Sequence, residues 1–260
     1  MRCAVVGHVE WVDFAHVPAL PSAGQIVHAT DLFAEPAGGG AVVARQLALL
    51  AGRCEFFTAL GDDELGRRSV RRLAELGIDV HVQWGGATRR AWTHVDADGE
   101  RTITVLGDKL LPHEPLPLEG YDLVFFVAGT AGALRVARAA RFLAATAREL
   151  RTLRAAGVAV DLLVASATDD GERYDGSVEA ALVAATDGER GGEIGGERYA
   201  AVPVERVVDS YGAGDSFGAT LAFALARGDL LADAAALAAR AGAAVITGRG
   251  PYEAQLTLAE

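Results

Sequence analysis

Asp209-Ser210-Tyr211-Gly212-Ala213-Gly214-Asp215-Ser216-Phe217 lies between a short β-like run, Arg206-Val207-Val208, and an apolar, alanine-rich run from Phe217 to Ala226. A strand that enters a glycine-rich turn and opens a helix leaves backbone N–H groups free at the helix start. Together with the positive end of the helix dipole they form a seat for an anion. Gly212 and Gly214 let the backbone approach a phosphate with no Cβ in the way. Asp215 stands at the mouth of the same turn. A carboxylate beside an anion seat is unfavourable unless it has work there, and taking a proton from a substrate hydroxyl is such work. The plainer alternative is a tight turn with an Asp N-cap.

Upstream of this stretch the chain alternates strands and helices. Residues 3–6 read as a buried strand ending at Gly7. In the extended segment that follows, Glu10 and Val12 share one face and Trp11 and Asp13 the other, so a single ligand would meet one acid, not both. Solvated acids in a connecting loop are the competing reading. Gly38-Gly39-Gly40 precedes a helical run, Ala41 to Leu50, closed by Gly52. Residues 54–60 read as a strand, and Asp62 or Asp63 as the cap of a helix with Leu65, Ser69, Leu73 and Leu76 on one stripe.

Residues 80–107 interrupt the rhythm. Val80–Trp84, Ala91–Val95 and Thr102–Leu106 are strand-like, and Asp98-Gly99 is a hairpin signal. We expect a small sheet over about 80–107, joined by residues 26–33, that covers a pocket or another subunit. From Tyr121 the alternation resumes, with strands at 123–127, 142–146, 158–165, 181–185 and 199–204. Two closing helices span 216–227 and 231–244.

The 260 residues suffice for one large domain, and the net charge of −11 argues against nucleic acid or an anionic membrane as the main partner. No apolar run is long enough to span a bilayer, and no apolar leader is present at the N-terminus. Cys3 and Cys54 sit in apolar runs and read as small core residues, which suits a cytoplasmic location.

The nine-residue stretch resembles the C-terminal signature of the ribokinase-like (PfkB) carbohydrate kinases, Asp-Thr-x-Gly-Ala-Gly-Asp-x-Phe. Further motifs match in family order: Leu20-Pro21-Ser22-Ala23-Gly24, the triple glycine, Gly61–Gly66, the Asp98–Arg101 hairpin and Thr186-x-Gly188-x-x-Gly191. The resemblance implies one α/β domain over residues 1–260, a doubly wound, mostly parallel sheet flanked by helices, with a small β lid. It also implies ATP-dependent phosphoryl transfer to a hydroxymethyl group of a sugar, nucleoside or related alcohol, assisted by Mg²⁺ and admitting a monovalent cation such as K⁺.

Carried over residue by residue, Asp215 maps onto the catalytic base and Gly212, Ala213 and Gly214 onto the anion hole. Thr186, Gly188, Ser210 and Gly248 map onto the nucleotide site. Glu10, Asp13, Gly38, Gly39, Gly40, Val42 and Trp92 map onto the acceptor side. A homodimer joined through the lid is a further expectation.

The chain departs from the family at Val42, where most members carry Asn, and at Val12, where they carry an acid. The usual Asn-x-x-Glu of the metal-water network is absent; Ser166-Ala167-Thr168-Asp169 lies near its place, so Asp169 is the metal candidate. The segment from 130 to 182 is also shorter than the family norm. Val42, with Trp11 and Trp92 nearby, predicts an acceptor with an apolar portion. The alternative is a nucleotide- or sugar-binding regulatory protein with weak turnover. A Rossmann oxidoreductase lacks its glycine fingerprint here.

Overall fold

The computed structural model describes residues 1–258. Strand β1 (Cys3–Val6) is apolar at every position because both of its faces are covered. Cys3 and Val5 enter one core while Ala4 and Val6 enter another on the opposite face, as the two-residue period of a strand requires. The chain then leaves the main sheet for β2 (Glu10–His16) and β3 (Asp31–Ala37), which pair antiparallel. Helix α1 (Gly39–Ala51) begins on the glycine run and stops at Gly52, which takes a left-handed conformation that lets it cap the helix without strain.

Strand β4 (Cys54–Leu60) returns beside β1. Helix α2 (Glu64–Glu75) is capped by Asp63, whose carboxylate accepts the Gly66 N–H, an interaction worth about 1 kcal/mol. Its buried stripe includes Ser69 and Leu73. Strand β5 (Ile78–Trp84) pairs parallel with β4, and β6 (Arg90–Val95) and β7 (Arg101–Leu106) then return to the small sheet.

The second half follows the same logic through β8 (Leu123–Phe126), α3 (Ala131–Ala137), β9 (Phe142–Thr146), α4 (Leu150–Ala156), β10 (Val160–Ser166) and β11 (Ala180–Thr186). The hairpin β12 (Gly192–Ile194) and β13 (Glu197–Tyr199) closes that edge. Helices α5 (Ala213–Arg227) and α6 (Leu231–Val245) complete the fold.

The main sheet has nine strands in the order β13-β12-β11-β10-β9-β8-β1-β4-β5, parallel except for the terminal hairpin. Helices α1, α2, α5 and α6 pack on one face, and α3 and α4 on the other. Strand order runs outward in both directions from β1 and β8, so their junction is the topological switch point, where open sheets of this kind bind ligands beyond the carboxyl ends of the strands. The second sheet, in the order β3-β2-β6-β7, is the lid.

The doubly wound sheet with a lid is therefore as expected, but four local assignments differ. Val80–Trp84 belongs to the main sheet: as the strand after α2 it completes a parallel crossover beside β4. Residues 10–16 supply a lid strand, and the strand expected at 26–33 begins only at Asp31. No strand forms at 206–208; the Val208 N–H bonds instead to the Ile246 carbonyl in the loop after α6. The strand expected at 199–204 is the shorter β13, because the Gly195-Gly196 turn reverses the chain earlier and residues 200–204 leave the sheet.

Candidate active site

Gly212 caps α5 in a left-handed conformation (φ 85°), and a Cβ there would lie 2.9 Å from Val42 Cγ1. Both constraints demand glycine. The Ala213 N–H is spanned by a long bond to the Ser210 carbonyl, 3.4 Å, and the Ser216 N–H reaches the Gly212 carbonyl. The Gly214 and Asp215 N–H groups, in the first turn of the helix, are left without an intrahelical acceptor. A Cβ on Gly214 would meet nothing within 4 Å, so this side of the turn is open.

That opening is a cleft at the carboxyl ends of the strands, walled by Phe125, Thr146, Ala165 and Thr186 and reached by Arg101 from the lid. Asp215 lines it, and burial pushes its carboxyl up to about 6; Glu172 on the far wall pushes the same way, while Arg101 and Arg148 partly offset both. A carboxylate poised there still takes a proton readily near neutral pH. The Arg101 guanidinium donates to the Ser210 carbonyl at 3.2 Å. Among the described residues it makes no ion pair, which leaves its charge facing the cleft.

The glycine run comes to the same place. A Cβ on Gly39 would stand 2.8 Å from Asp215 Oδ1, and one on Gly40 would strike the His8 carbonyl at 2.5 Å. Gly38 lies over His8 and Glu10. Glu10 is buried and paired with Arg89 at 3.0 Å. Burial raises its pKa, and Arg89 and Lys109 oppose the rise. His8 is held neutral, its pKa pushed to about 3 by burial and neighbouring cations, and its Nδ1 is buried with no partner.

Several expected residues lie elsewhere. Val42 is wholly buried in the lid-side core with Val12, Phe14 and Tyr211, and it packs beneath Gly212 instead of facing an acceptor. Asp13 is on the outer face of the lid, paired with Arg90 at 2.9 Å, and Trp92 shares that face and donates to His94. The alternation of β2 and β6 puts Glu10, Ala91, Thr93 and Val95 inward and these two outward. Trp11 is buried with the Arg68 guanidinium over its ring. Ser210 is tied to the lid hairpin through its N–H and the Gly99 carbonyl, 2.8 Å. Gly188 opens a short 3-10 turn after β11, and Gly248 packs on Ala254 after α6.

Asp169 is committed: Oδ2 pairs with Arg148 at 2.5 Å and Oδ1 accepts the Gly171 N–H. Glu172 pairs with the same arginine through Oε1, and the residue lines the cleft. Sequence reasoning missed Glu172, Arg101, Arg89 and Arg148. Arg101 had a signal, since it follows the Asp98-Gly99 turn by two residues. The others are brought in by packing from separate loops. A second, apolar groove of about 490 Å³ runs between Tyr199–Pro203 and the Ala235–Ala239 face of α6.

A profile described as pfkB family carbohydrate kinase matches residues 1–170 and 134–258. The ribokinase of Dictyostelium discoideum is 31% identical over 106 residues, covering 40% of this chain and 33% of that one. The matched stretch thus spans about a third of the length of such curated relatives. The ribokinase of Thermotoga maritima superposes with a TM-score of 0.79 at 20% identity, covering 99% of this chain and 96% of the other. The Arabidopsis thaliana ribokinase complexed with ribose and ATP gives 0.74 at 20%, covering 98% and 96%. At these identities the structural likeness speaks for the fold.

Proposed function

The chain belongs to the pfkB family of carbohydrate kinases, and from that premise we propose that it transfers the γ-phosphoryl group of ATP to a hydroxymethyl oxygen of a sugar or related alcohol. The observation that carries the reading is the meeting, in one cleft, of the free N–H groups of α5, the Asp215 carboxylate and the Gly39 backbone.

In this reading the acceptor lies against Gly38–Gly40 with its hydroxyl at Asp215. Asp215 takes the hydroxyl proton as the oxygen forms its bond to the γ-phosphorus, and the bond from that phosphorus to the β–γ bridging oxygen breaks, releasing ADP. The Gly214 and Asp215 N–H groups and the α5 dipole stabilise charge on the transferring oxygens, and such donors are worth about 10²–10³ in rate. Arg101 adds a cation from the lid side. Thr186 marks the path by which the nucleotide leaves the cleft, and the apolar groove beside α6 offers its base a water-poor surface.

Glu172, a cleft-lining carboxylate with one oxygen outside its ion pair to Arg148, would be the residue to hold Mg²⁺ on this wall. The ion keeps several waters and is held mainly by phosphates, so one protein ligand suffices. When bound it neutralises charge on the phosphate oxygens. Asp169 is left to hold Arg148.

The test is ADP release across free sugars, nucleosides and hydroxymethyl vitamins, with and without Mg²⁺. Turnover with one of them supports the kinase reading. ATP binding with no turnover on any acceptor would favour the alternative, a nucleotide-binding regulatory protein.

A further inference from the structure

Tyr211 lies inside the signature but has no part in the chemistry described above. Its ring is buried, and its hydroxyl oxygen accepts the Gly38 N–H at 2.9 Å, a contact across 173 positions of sequence. At the other end the Tyr211 N–H donates to Asp209 Oδ1 at 2.8 Å, and Asp209 Oδ2 accepts the Gly250 N–H at 3.2 Å. One side chain thus connects the braced turn of the anion hole to the first residue of the glycine run.

Gly38 has no slack to absorb a change there. Its φ of 94° suits only glycine, and a Cβ would meet the His8 ring at 3.1 Å. The next residue, Gly39, lies directly against the Asp215 carboxylate. The Tyr211 ring also meets Phe14 of β2 edge-on, at 5.1 Å between centroids, and Phe14 stacks on Phe33 of β3 at 4.7 Å. The lid therefore packs on the residue that spaces the acceptor loop from the base.

We infer that Tyr211 is a positioning residue: its hydroxyl fixes the distance between the Gly38–Gly40 loop and the Asp215 turn, and so sets the acceptor oxygen in line with the transferring phosphoryl group. The inference rests on the kinase reading for its kinetic consequence but not for its structural one. Tyr211→Phe keeps the ring and its packing and leaves the Gly38 N–H buried without an acceptor. Small misplacements of a reacting group cost up to about 10²-fold in rate, so kcat/KM for the acceptor should fall about 10- to 100-fold.

The experiment compares wild type and Tyr211→Phe in three measurements. The first is kcat/KM on D-fructose, D-ribose and adenosine; the second is the Kd for ATP; the third is amide hydrogen exchange at Gly38. We expect the acceptor term to fall, the ATP Kd to stay within roughly two-fold, as for a group that acts on the acceptor alone, and the Gly38 amide to exchange faster. Unchanged acceptor kinetics would overturn the inference in favour of plain packing. An equal loss in ATP affinity would also overturn it. If the wild type turns over none of the three acceptors, that result counts against their assignment as substrates, and the exchange measurement decides the Tyr211 link alone: an unchanged Gly38 amide refutes it.

Discussion

Asp215→Asn separates the two consequences of a buried base. The folded protein raises this carboxyl from its ordinary 3.8 to about 6, chiefly through burial, with the Glu172 charge second. A group whose folded pKa is raised adds no penalty below its unfolded pKa, and it destabilises the fold progressively as pH rises through the folded pKa. The wild type therefore loses stability between about pH 4 and 6, and above that window carries a penalty of about 3 kcal/mol at most, at 1.36 kcal/mol per pKa unit. The carboxylate keeps some contact with solvent, and screening lowers this to roughly 1–3 kcal/mol. The amide cannot ionise, so the variant escapes the penalty. In a domain of this size 1 kcal/mol moves Tm by about 2–4 °C, so Asn should raise Tm by roughly 2–12 °C near pH 8. The advantage should shrink toward zero near pH 4. Turnover should drop by about 10²–10⁴, the usual cost of losing a general base. Wild-type kcat should fall on the acid side with a midpoint near 6. Thermal melts across pH, run beside ADP-release kinetics, check all of this. A Tm gain independent of pH, or near-normal turnover by the variant, would refute the reasoning.

The remaining predictions concern the walls of the same cleft and the lid. Gly212→Ala should destabilise by about 1–2 kcal/mol for the left-handed backbone alone, before its clash with Val42, and denaturant melts will show it. Gly214→Ala should fold normally, because its backbone is helical and its Cβ direction is open, yet weaken ATP binding by titration calorimetry. Arg101→Met should lower kcat by about 10² with little change in Tm, and move the acid limb of the pH profile upward because a cation that favours the ionised Asp215 is gone. The lid exposes Leu32, Trp92 and Leu106 on its outer face, and on the expectation of a homodimer through the lid, sedimentation velocity should give a dimer for the wild type and a monomer for Trp92→Asp. A monomeric wild type, or a dimer that Trp92→Asp leaves intact, would refute pairing through the lid.

How much of this was legible in the chain depends on whether the signal was local. The anion seat was, because a left-handed glycine cap, a helix start and an acid lie within four residues of one another. The parallel core was, because strands covered on both faces read as unbroken apolar runs. The lid was read only in part. Val80–Trp84 and Ala91–Val95 carry similar β-rich composition, and only the crossover through α2 assigns the first to the main sheet. Among the described residues, no helix is long and apolar enough to cross a membrane, in keeping with the hydropathy of the sequence.

Val42 shows where a motif position and a side-chain direction part company. Its place in the chain, two residues past the glycine run, matches an acceptor-contacting position, and that placement predicted an apolar pocket. The fold instead turns Val42 under Gly212, where it fills the space that an absent Cβ leaves, and its carbonyl accepts the Gln255 side-chain amide at 3.0 Å. Val42 therefore offers an acceptor no apolar wall. Glu10 and His8, beneath Gly38, and Arg89, paired with Glu10, are what the inward face of the chain brings toward the loop; Glu10 and Arg89 offset each other's charge, while His8 Nδ1 is buried with no hydrogen-bond partner. Buried polar groups of this kind are costly unless a donor or acceptor reaches them. An acceptor rich in hydroxyls supplies both, so a free sugar should outperform a nucleoside in kcat/KM. A nucleoside that outperforms every free sugar would show that the acceptor is recognised through some other wall of the cleft.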